Sequence, residues 1–515
     1  MNAPNRRLPF GHEAQNPLST LEETAIGLSL ADAEATERLG ADIALALKPG
    51  DCVWLHGDLG AGKTSLARGL IRAMIGAEID VPSPTFTLVQ PYEDGRVPVL
   101  HADLYRIENA PEIEELGFDE ALRDGIVLVE WPERGMEEAA TLHVELVPEG
   151  EGRAATIWGE ALPRVVRSLE IRTFLAALGK GGVARAHLTG DASSRSYETL
   201  PDGSQRPRVV MNAPDMPDGP PLDGGEPYSR IAHLAETVRP FVAVGEALRK
   251  EGFAAPRIYA ADLGAGLLLV ENLGDGSIAP DGKPLESRYE TCAALLADLH
   301  DVPWSPELDL PDGTTYDLPS YDRGAMRIEV SLLADWYARD VLGRELTHGE
   351  RERFFALWDD LIERLPRETL VLRDYHSPNI VWRDEAEGHA RVGLIDFQDA
   401  VMGPAAYDVA SLAQDARVDV CVDLETRLVD RYCRARWPER AGDPVHEEVR
   451  FREAYAICAA QRASKILGIF VRLDLRDGKP GYRAHLPRMR DYVRRSLKHP
   501  ALRELAEFYR EAFDL

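Results

Sequence analysis

The stretch VLRDYHSPNIVW, residues 371–382, decides the fold of the larger part of this 515-residue chain. Within it Asp374 and Asn379 show the D-x-x-x-x-N spacing of a kinase-type catalytic loop. In such a loop the aspartate orients the acceptor hydroxyl, and the asparagine amide turns back toward a cation on the ATP phosphates. The spacing alone is weak evidence, so the next segment has to support it.

That segment is VGLIDFQDA, residues 392–400. Its Asp396 ends an apolar strand, in the position of the aspartate that binds magnesium in kinases. Two carboxylates and one amide offer the oxygen ligands that Mg²⁺ prefers. We therefore predict a site that uses ATP and Mg²⁺, with Asp374 as the catalytic residue and Asn379 and Asp396 as metal ligands.

Three neighbours of these residues are candidates for contacting the acceptor. Gln398 and Asp399 directly follow the metal-binding segment, and His376 lies inside the catalytic loop. His376 resembles a catalytic base by residue type alone, and we expect it to be structural or to line the acceptor pocket.

Residues from about 170 to 515 resemble the aminoglycoside-phosphotransferase-like family, and most of all its AmgK-like sugar-kinase branch. The resemblance rests on TGDASSRSY (189–197), VVMNAP (209–214), LRDYHSPNI (372–380) and GLIDFQDAVMGPAAYDVASL (393–412). It implies a bilobal α+β protein-kinase-like fold and ATP-dependent phosphorylation of N-acetylmuramate or N-acetylglucosamine at the anomeric hydroxyl, in cell-wall recycling. It also implies that Asp408 braces the catalytic loop. The turn over the phosphates would supply the nucleotide contacts Gly190, Ser193, Ser194 and Arg195.

The chain departs from the kinase pattern at two positions. Leu372 replaces the histidine before the catalytic aspartate, a residue that supports the loop without transferring a proton. Met211 stands where a phosphate-binding lysine is expected, and Arg195 is our candidate for the missing cation. Two alternatives stay open: the acceptor is an aminoglycoside or another small alcohol, or this half is a non-catalytic nucleotide-binding interaction module.

A second phosphate-binding motif, GDLGAGKT at residues 57–64, fits G-x-x-x-x-G-K-[ST]. It follows an apolar strand and precedes an amphipathic helix, which is the context that a P-loop requires. Lys63 is expected to reach the terminal phosphates and Thr64 to bind magnesium. The predicted nucleotide contacts are Gly57, Asp58, Leu59, Gly60, Ala61, Gly62, Lys63, Thr64 and Ser65.

Two acids, Asp103 and Glu130, end apolar strands in the same region. Because the carboxyl ends of parallel strands meet at one edge of a sheet, we expect both acids beside the P-loop. Either one is suited to bind magnesium, directly or through water.

Residues from about 20 to 160 resemble the TsaE family of P-loop ATPases in bacterial tRNA threonylcarbamoyladenosine synthesis. The phrases occur in order: GDLGAGKTSLARGL, VPSPTFTLVQPY, LHADLYR, ELGFDE and VEWPE. The resemblance implies that Glu130 is a second metal-site residue and that Thr85, Asp103 and Trp131 lie near the nucleotide. It also implies that the partners are subunits of the threonylcarbamoyl transferase complex, which link this half indirectly to tRNA.

Composition narrows the remaining possibilities. Acidic residues outnumber basic residues by 87 to 59, which argues against a surface that coats nucleic acid or an anionic membrane. The five cysteines are scattered without a CxxC pair, and the first twenty residues lack the apolar run of a signal peptide. We expect a cytoplasmic protein with no membrane contact and no metal other than Mg²⁺.

The chain is therefore predicted as a fusion of two domains. The first, residues 1–163, is an α/β P-loop NTPase domain with a helix over 29–48 and a mostly parallel sheet. The second, residues 164–515, is the kinase-like domain, with a small lobe over about 164–275 and a helical lobe over about 276–515. The acceptor of the kinase-like domain is expected to be a small amino sugar.

Overall fold

A computed structural model describes residues 24–107, 111–136, 140–188, 195–201, 203, 206–216, 218–219, 221–222, 225–366, 369–438 and 444–515. Within this part the chain forms two compact units. The N-terminal unit comprises residues 24–212 and 267–269, and the C-terminal unit comprises residues 213–266 and 270–515. No helix among the described residues is both long and apolar enough to cross a membrane.

The N-terminal unit is built on a seven-stranded sheet of order β1-β7-β6-β2-β5-β4-β3. Its strands are β1 (Ala25–Leu30), β2 (Cys52–His56), β3 (Val89–Tyr92), β4 (Val99–Asp103), β5 (Ile126–Glu130), β6 (Leu142–Glu149) and β7 (Gly152–Trp158). The central pairs β6–β2, β2–β5 and β5–β4 are parallel, and the outer pairs are antiparallel. The sheet is thus mixed, and the prediction of a mostly parallel sheet holds only for its centre.

The described residues of this unit form five α-helices: α1 (Ala33–Ala46), α2 (Lys63–Ile75), α3 (Pro111–Glu114), α4 (Phe118–Asp124) and α5 (Leu162–Ala177). The predicted helix over 29–48 was wrong at its start, because Ser29 and Leu30 belong to β1. The helix begins after Asp32, whose carboxylate accepts the Ala35 N–H at 2.7 Å and caps the first turn.

Helices α1 and α2 pack closely through two glycines. A Cβ on Gly69 would lie 1.9 Å from the carbonyl oxygen of Glu37, and one on Gly40 would lie 2.1 Å from that of Leu66. No larger side chain fits at either position without moving a helix. This contact holds α2, the helix that begins at Lys63, against the sheet core.

Three further strands lie in the same unit: β8 (Ala186–Leu188), β9 (Ser196–Leu200) and β10 (Arg208–Asn212). They form an antiparallel ribbon in which Leu188 pairs with Tyr197, and Val210 pairs with Glu198. The domain boundary at 163/164 and the limits of the two lobes stay predictions.

The C-terminal unit is mainly helical, with short strands. Its described strands are β11 (Ile258–Asp262), β13 (Glu307–Asp309), β14 (Thr315–Asp317), β15 (Thr369–Val371), β16 (Ile380–Trp382), β17 (Val392–Leu394) and β18 (Val401–Gly403). Strand β12 (Leu267–Val270) belongs to the N-terminal unit except for its last residue. The helices are α6 (Tyr228–Ile231), α7 (Arg239–Lys250), α8 (Glu286–Asp301), α9 (Arg323–Leu332), α10 (Arg339–Val341), α11 (His348–Glu363), α12 (Ala406–Ala413), α13 (Val422–Arg436), α14 (Pro444–Leu475), α15 (Leu486–Ser496) and α16 (Arg503–Phe513).

Two short strand pairs position the kinase-type motifs. Strand β15 pairs with β18, and β16 pairs with β17, both antiparallel. The second pair extends beyond its strands, since the Ile395 N–H donates to the carbonyl oxygen of Asn379 at 3.1 Å. The ladder therefore brings the end of the catalytic loop beside the segment that carries Asp396.

Candidate active sites

The P-loop is a glycine-dependent turn between β2 and α2. Gly57, Gly60 and Gly62 have φ angles of 132°, 82° and 107°, which side chains rarely adopt. A Cβ on Gly57 would also lie 2.3 Å from the carbonyl oxygen of Leu146. The loop displays Asp58, Leu59 and Gly60 to solvent, whereas Ala61 is buried and Ser65 lies half-buried in α2.

Lys63 is folded into this loop. Its ammonium donates to the carbonyl oxygens of Gly57 at 2.6 Å and Asp58 at 3.1 Å. The same group lies 3.6 Å from the centroid of the Trp131 ring, a cation–π contact. Burial lowers the pKa of Lys63, although the carboxylates around it, Glu130 foremost, oppose that shift.

Glu130 connects the P-loop to the centre of the sheet. The Thr64 hydroxyl lies 2.9 Å and 3.0 Å from its two carboxylate oxygens, so it can donate to either one. The buried His101 ring lies 3.0 Å from Oε1 through Nε2. A hydroxyl and a carboxylate held together supply oxygen ligands of the kind that Mg²⁺ prefers, so these residues fit a magnesium site.

Asp103 lies beside Glu130 across the β4–β5 pair, which places both acids at one edge of the sheet as expected. Its Oδ2 accepts from Ser83 at 2.8 Å and from Thr85 at 2.6 Å. Its Oδ1 accepts the Tyr105 N–H at 2.9 Å. Asp103 therefore anchors the loop that carries Thr85 to the strand end.

Sequence reasoning did not single out two of these partners, His101 and Ser83. His101 stands two residues before Asp103 on β4, so strand alternation places both side chains on one face of the sheet. That alternation was the available signal for His101. Ser83 offered no such signal, because its contact depends on the path of a loop.

The second site lies in the C-terminal unit, where the three predicted kinase residues converge. The Asn379 amide donates to the Asp374 carbonyl oxygen at 3.0 Å and to Asp396 Oδ2 at 3.3 Å. No described residue donates to the Oδ1 of Asn379. That oxygen, together with the Asp396 carboxylate, fits a cation with oxygen ligands.

Asp408 holds the backbone of the catalytic loop. It is fully buried in α12. Its two carboxylate oxygens accept the N–H groups of Leu372 at 2.7 Å and Arg373 at 2.9 Å. The structure thus places Asp408 in contact with the loop that it is predicted to brace.

A buried charge cluster beneath the loop was not predicted from the sequence. The guanidinium of Arg373 pairs with Glu329 on α9 and donates to the Ala232 carbonyl oxygen at 2.9 Å. Glu329 also accepts from the Lys465 ammonium at 2.8 Å. Burial opposes ionisation of Glu329, but Lys465 and Arg373 outweigh it and lower its pKa to about 2.

Cationic groups of this cluster favour the ionised form of the catalytic carboxylate. Burial acts to raise the pKa of Asp374, yet the positive charge of Lys465, followed by those of His376 and Arg462, lowers it below its ordinary value. Asp374 is therefore ionised at neutral pH. A carboxylate in this state can accept a hydrogen bond from an acceptor hydroxyl.

The three candidate substrate contacts have different surroundings. His376 Nδ1 lies 3.7 Å from Asp415, whose carboxylate also accepts the Ser377 N–H at 2.8 Å. The buried Gln398 donates to Asp396 Oδ1 at 2.9 Å, so it orients a predicted metal ligand. Asp399 Oδ1 accepts the Ala235 N–H at 2.7 Å.

The phosphate-covering turn is described only in part. Gly190, Ser193 and Ser194 lie outside the described residues, and Arg195 directly precedes β9. Met211 is a buried residue of β10, and that strand carries no lysine. What replaces the missing lysine stays a prediction.

Two family models match the chain. Residues 186–447 match the phosphotransferase enzyme family, and residues 30–155 match the threonylcarbamoyl adenosine biosynthesis protein TsaE. Both families use ATP.

Several named proteins are similar to one half of the chain or the other. The N-acetylmuramate/N-acetylglucosamine kinase of Caulobacter vibrioides is 36% identical over 354 residues, which cover 65% of this chain and 94% of that protein. The kinase of the same name from Pseudomonas aeruginosa is 33% identical over 345 residues, covering 64% and 90%. The tRNA threonylcarbamoyladenosine biosynthesis protein TsaE of Rickettsia felis is 45% identical over 106 residues, covering 21% of this chain and 62% of that protein.

Proposed function

The chain belongs to the phosphotransferase enzyme family and carries a TsaE domain at its N-terminus, and from that premise we propose a bifunctional enzyme. The C-terminal part transfers the γ-phosphoryl group of ATP to the anomeric hydroxyl of N-acetylmuramate or N-acetylglucosamine, as a step of cell-wall recycling. The N-terminal part hydrolyses ATP as a component of tRNA threonylcarbamoyladenosine synthesis.

For the kinase half, Asp374 accepts a hydrogen bond from the sugar hydroxyl and directs it at the γ-phosphorus. The hydroxyl oxygen forms a bond to phosphorus as the bond to ADP breaks, and the hydroxyl proton passes toward the Asp374 carboxylate. Asn379 and Asp396 would hold Mg²⁺, which offsets the negative charge on the phosphates. Gln398 keeps Asp396 in place through its hydrogen bond.

One observation carries this proposal: the Asn379 amide contacts both Asp374 and Asp396. A single side chain thus connects the main chain of the predicted catalytic residue to the carboxylate of a predicted metal ligand. These contacts hold the catalytic loop against the segment that carries Asp396, which supports an arrangement for in-line phosphoryl transfer.

For the N-terminal half, Lys63 and the glycine turn would bind the ATP phosphates. Thr64 and Glu130 would hold Mg²⁺, and Thr85 and Asp103 would sense the nucleotide through their shared hydrogen bond. The partners are subunits of the threonylcarbamoyl transferase complex. A cytoplasmic location fits both proposed activities.

The kinase proposal is tested by assaying the full chain with ATP against N-acetylmuramate, N-acetylglucosamine, choline and an aminoglycoside. We expect phosphorylation of one or both N-acetyl sugars, and a loss of about 10³-fold or more in kcat for Asp374→Asn. Asp309→Asn is the matched control, because Asp309 is an exposed aspartate of β13. Phosphorylation of only choline or only the aminoglycoside would show that the acceptor is not an N-acetyl sugar.

The two halves of the proposal are tested separately. If the chain phosphorylates none of these acceptors and Asp374→Asn leaves every measurable activity intact, this half is an interaction module and not a kinase. For the N-terminal half, a Lys63→Ala chain should fail to support threonylcarbamoyladenosine formation in a strain that lacks its own TsaE. Normal levels of the modified nucleoside in that strain would overturn the assignment.

A further inference from the structure

A buried arginine joins the two matched regions of the chain within the N-terminal unit. Arg185 lies just before β8, and its side chain is 0% exposed. It donates from Nη1 to Asp42 on α1 at 3.1 Å. It also holds Glu198 on β9 in a bidentate contact, through Nε at 2.8 Å and Nη2 at 3.1 Å.

A second arginine approaches the same aspartate from α5. Arg172 donates to Asp42 Oδ1 at 2.7 Å and to Oδ2 at 3.0 Å. Its Nη1 also donates to the carbonyl oxygens of Gly181 at 2.9 Å and Val183 at 2.7 Å. Arg172 thereby holds the segment that leads from α5 to β8.

Ser168 closes this group of residues, which we call the Arg185 cluster: Asp42, Ser168, Arg172, Arg185 and Glu198. The Ser168 carbonyl and hydroxyl oxygens each accept from Arg185 at 2.8 Å. The Ser168 hydroxyl then donates to the Asp42 carbonyl oxygen at 2.7 Å. The two arginines and the two carboxylates therefore balance in charge within a buried, fully hydrogen-bonded cluster. Removing one of them leaves the charge of its partner buried and unpaired, which is destabilising.

The members of the cluster come from different parts of the chain. Asp42 lies inside the region that matches TsaE, residues 30–155, and its side chain is 3% exposed. Glu198 lies inside the region that matches the phosphotransferase family, residues 186–447. An aspartate buried at this place on α1 needs the arginines that follow the TsaE region to pair its charge.

The strands that the cluster contacts are paired with one another, β9 with β10 on one edge and with β8 on the other, but they bury few side chains. All three residues of β8 are exposed, and only two of the five residues of β9 are buried. A second set of contacts acts in the same direction: Arg167 of α5 donates to Asn212 of β10 at 2.9 Å, and Asn212 donates to Ser196 of β9 at 2.9 Å. Polar contacts to α1 and α5 thus add to the strand pairing that positions β9.

We propose that Asp42, a residue of the TsaE domain, is a positioning residue for the kinase, because through Arg185 it holds β9, the strand that directly follows the predicted phosphate-covering turn and Arg195. This inference rests on the proposed sugar-kinase function. According to this inference, the N-terminal domain helps to support the strands of the kinase that are predicted to bind the nucleotide. In this chain the fusion then contributes to the structure of the kinase and is more than a convenience of gene order.

The test compares Asp42→Asn with Glu34→Gln in the full chain. Glu34 is an acidic residue on the same helix with a side chain 79% exposed, so its loss controls for a change of charge. In Asp42→Asn we expect the KM for ATP in sugar phosphorylation to rise about tenfold, with kcat and the sugar KM changed less than about twofold. Glu34→Gln should behave as wild type. Asp42→Glu, which keeps the carboxylate, should recover part of the affinity for ATP.

Direct binding separates this inference from the activity on which it rests. In a Lys63→Ala background the kinase half is the remaining ATP site, and calorimetry with the non-hydrolysable analogue AMP-PNP reports its Kd. Adding Asp42→Asn should weaken that Kd about tenfold, whether or not a sugar is phosphorylated. An unchanged Kd would overturn the inference. A wild-type chain without sugar phosphorylation would overturn only the proposed function.

A folding defect is distinguished by a variant on the other side of the cluster. Glu198→Gln removes the partner on β9 and leaves α1 untouched, so it should raise the KM for ATP in the same way. Circular dichroism and P-loop ATP hydrolysis report whether each variant is folded. If both folded variants keep the wild-type KM and Kd for ATP, the cluster does not position the nucleotide site.

Discussion

The carboxylate of Asp408 accepts the backbone N–H of Leu372 at 2.7 Å, at the position where the kinase pattern has a histidine. The second carboxylate oxygen accepts the N–H of Arg373. The loop before Asp374 is therefore held by an acid from α12. Because this acid binds main-chain groups, the residue type at position 372 matters little for the support of the loop.

Replacing Asp408 should impair the kinase more than changing Leu372. In Asp408→Asn one of the two N–H groups faces an amide donor, which leaves it unpaired in a buried site at a cost of about 1–3 kcal/mol. We expect kcat for sugar phosphorylation to fall by about tenfold or more. Leu372→Met, a change of similar volume, is the control and should keep kcat. Wild-type kcat in Asp408→Asn would show that this contact does not position the loop.

Glu130→Gln should uncouple ATP binding from hydrolysis in the N-terminal domain. The change removes a negative charge beside Thr64 and His101 but keeps the shape of the side chain. We expect the ATPase rate to drop by about 100-fold while nucleotide affinity changes little. Malachite-green phosphate release and fluorescent-nucleotide titration measure the two quantities. Glu133→Gln, a half-exposed neighbour in the chain, is the control.

The stability contributed by Glu329 should depend on pH in a defined window. Its pKa is lowered from 4.5 to about 2 in the folded chain, so its stabilising effect is complete above pH 4.5. The effect is lost as pH falls toward 2, and it amounts to about 3 kcal/mol at most. Urea unfolding at a series of pH values should show the gap between wild type and Glu329→Gln narrowing on acidification.

A matched control for that series is Glu363→Gln, since Glu363 has a side chain 67% exposed and pairs only at the surface with Arg323. Its difference from wild type should be small at every pH. A constant gap between wild type and Glu329→Gln from pH 5 to pH 2.5 would contradict the pairing of Glu329 with Lys465 and Arg373.

The contact between α1 and α2 should tolerate no added methyl group. In Gly69→Ala the new Cβ meets the carbonyl oxygen of Glu37, and backbone cannot yield as a flexible side chain would. We expect a loss of about 1–3 kcal/mol in the free energy of unfolding. Gly27→Ala is the control, because a Cβ there has nothing within 4 Å. Equal thermal midpoints for the two variants would contradict the close packing.

In both candidate sites, the contacts between residues that are close in the sequence could be predicted from the sequence alone. The contact of Asn379 with Asp374 spans one short loop, so the spacing of the motif already implies it. The glycine turn before Lys63 is local in the same sense. The pairing of Asp103 with Glu130 was accessible too, because parallel strands of similar length end at a common edge.

Other parts of the sites had no sequence signal. Lys465 and Glu329 lie on helices far from the catalytic loop in sequence, and both resemble ordinary charged helix residues. Only the packing of α9 against α14 pairs Lys465 with Glu329, and the positive charge of Lys465 lowers the pKa of Asp374. The antiparallel edges of the sheet were missed for a related reason, since strand direction depends on how the chain returns and not on strand composition.

The motifs alone therefore establish two ATP-dependent chemistries on one chain, because phosphate-binding turns and catalytic loops are short and their residues act on near neighbours. The Arg185 cluster, in contrast, could not be predicted from the sequence, because its residues lie far apart in the chain. Asp42, Arg185 and Glu198 become partners only after α1, α5 and β9 have packed, when burial makes their charges depend on one another. Long-range burial, rather than any motif, brings a residue of the region that matches TsaE into one cluster with a strand of the region that matches the phosphotransferase family.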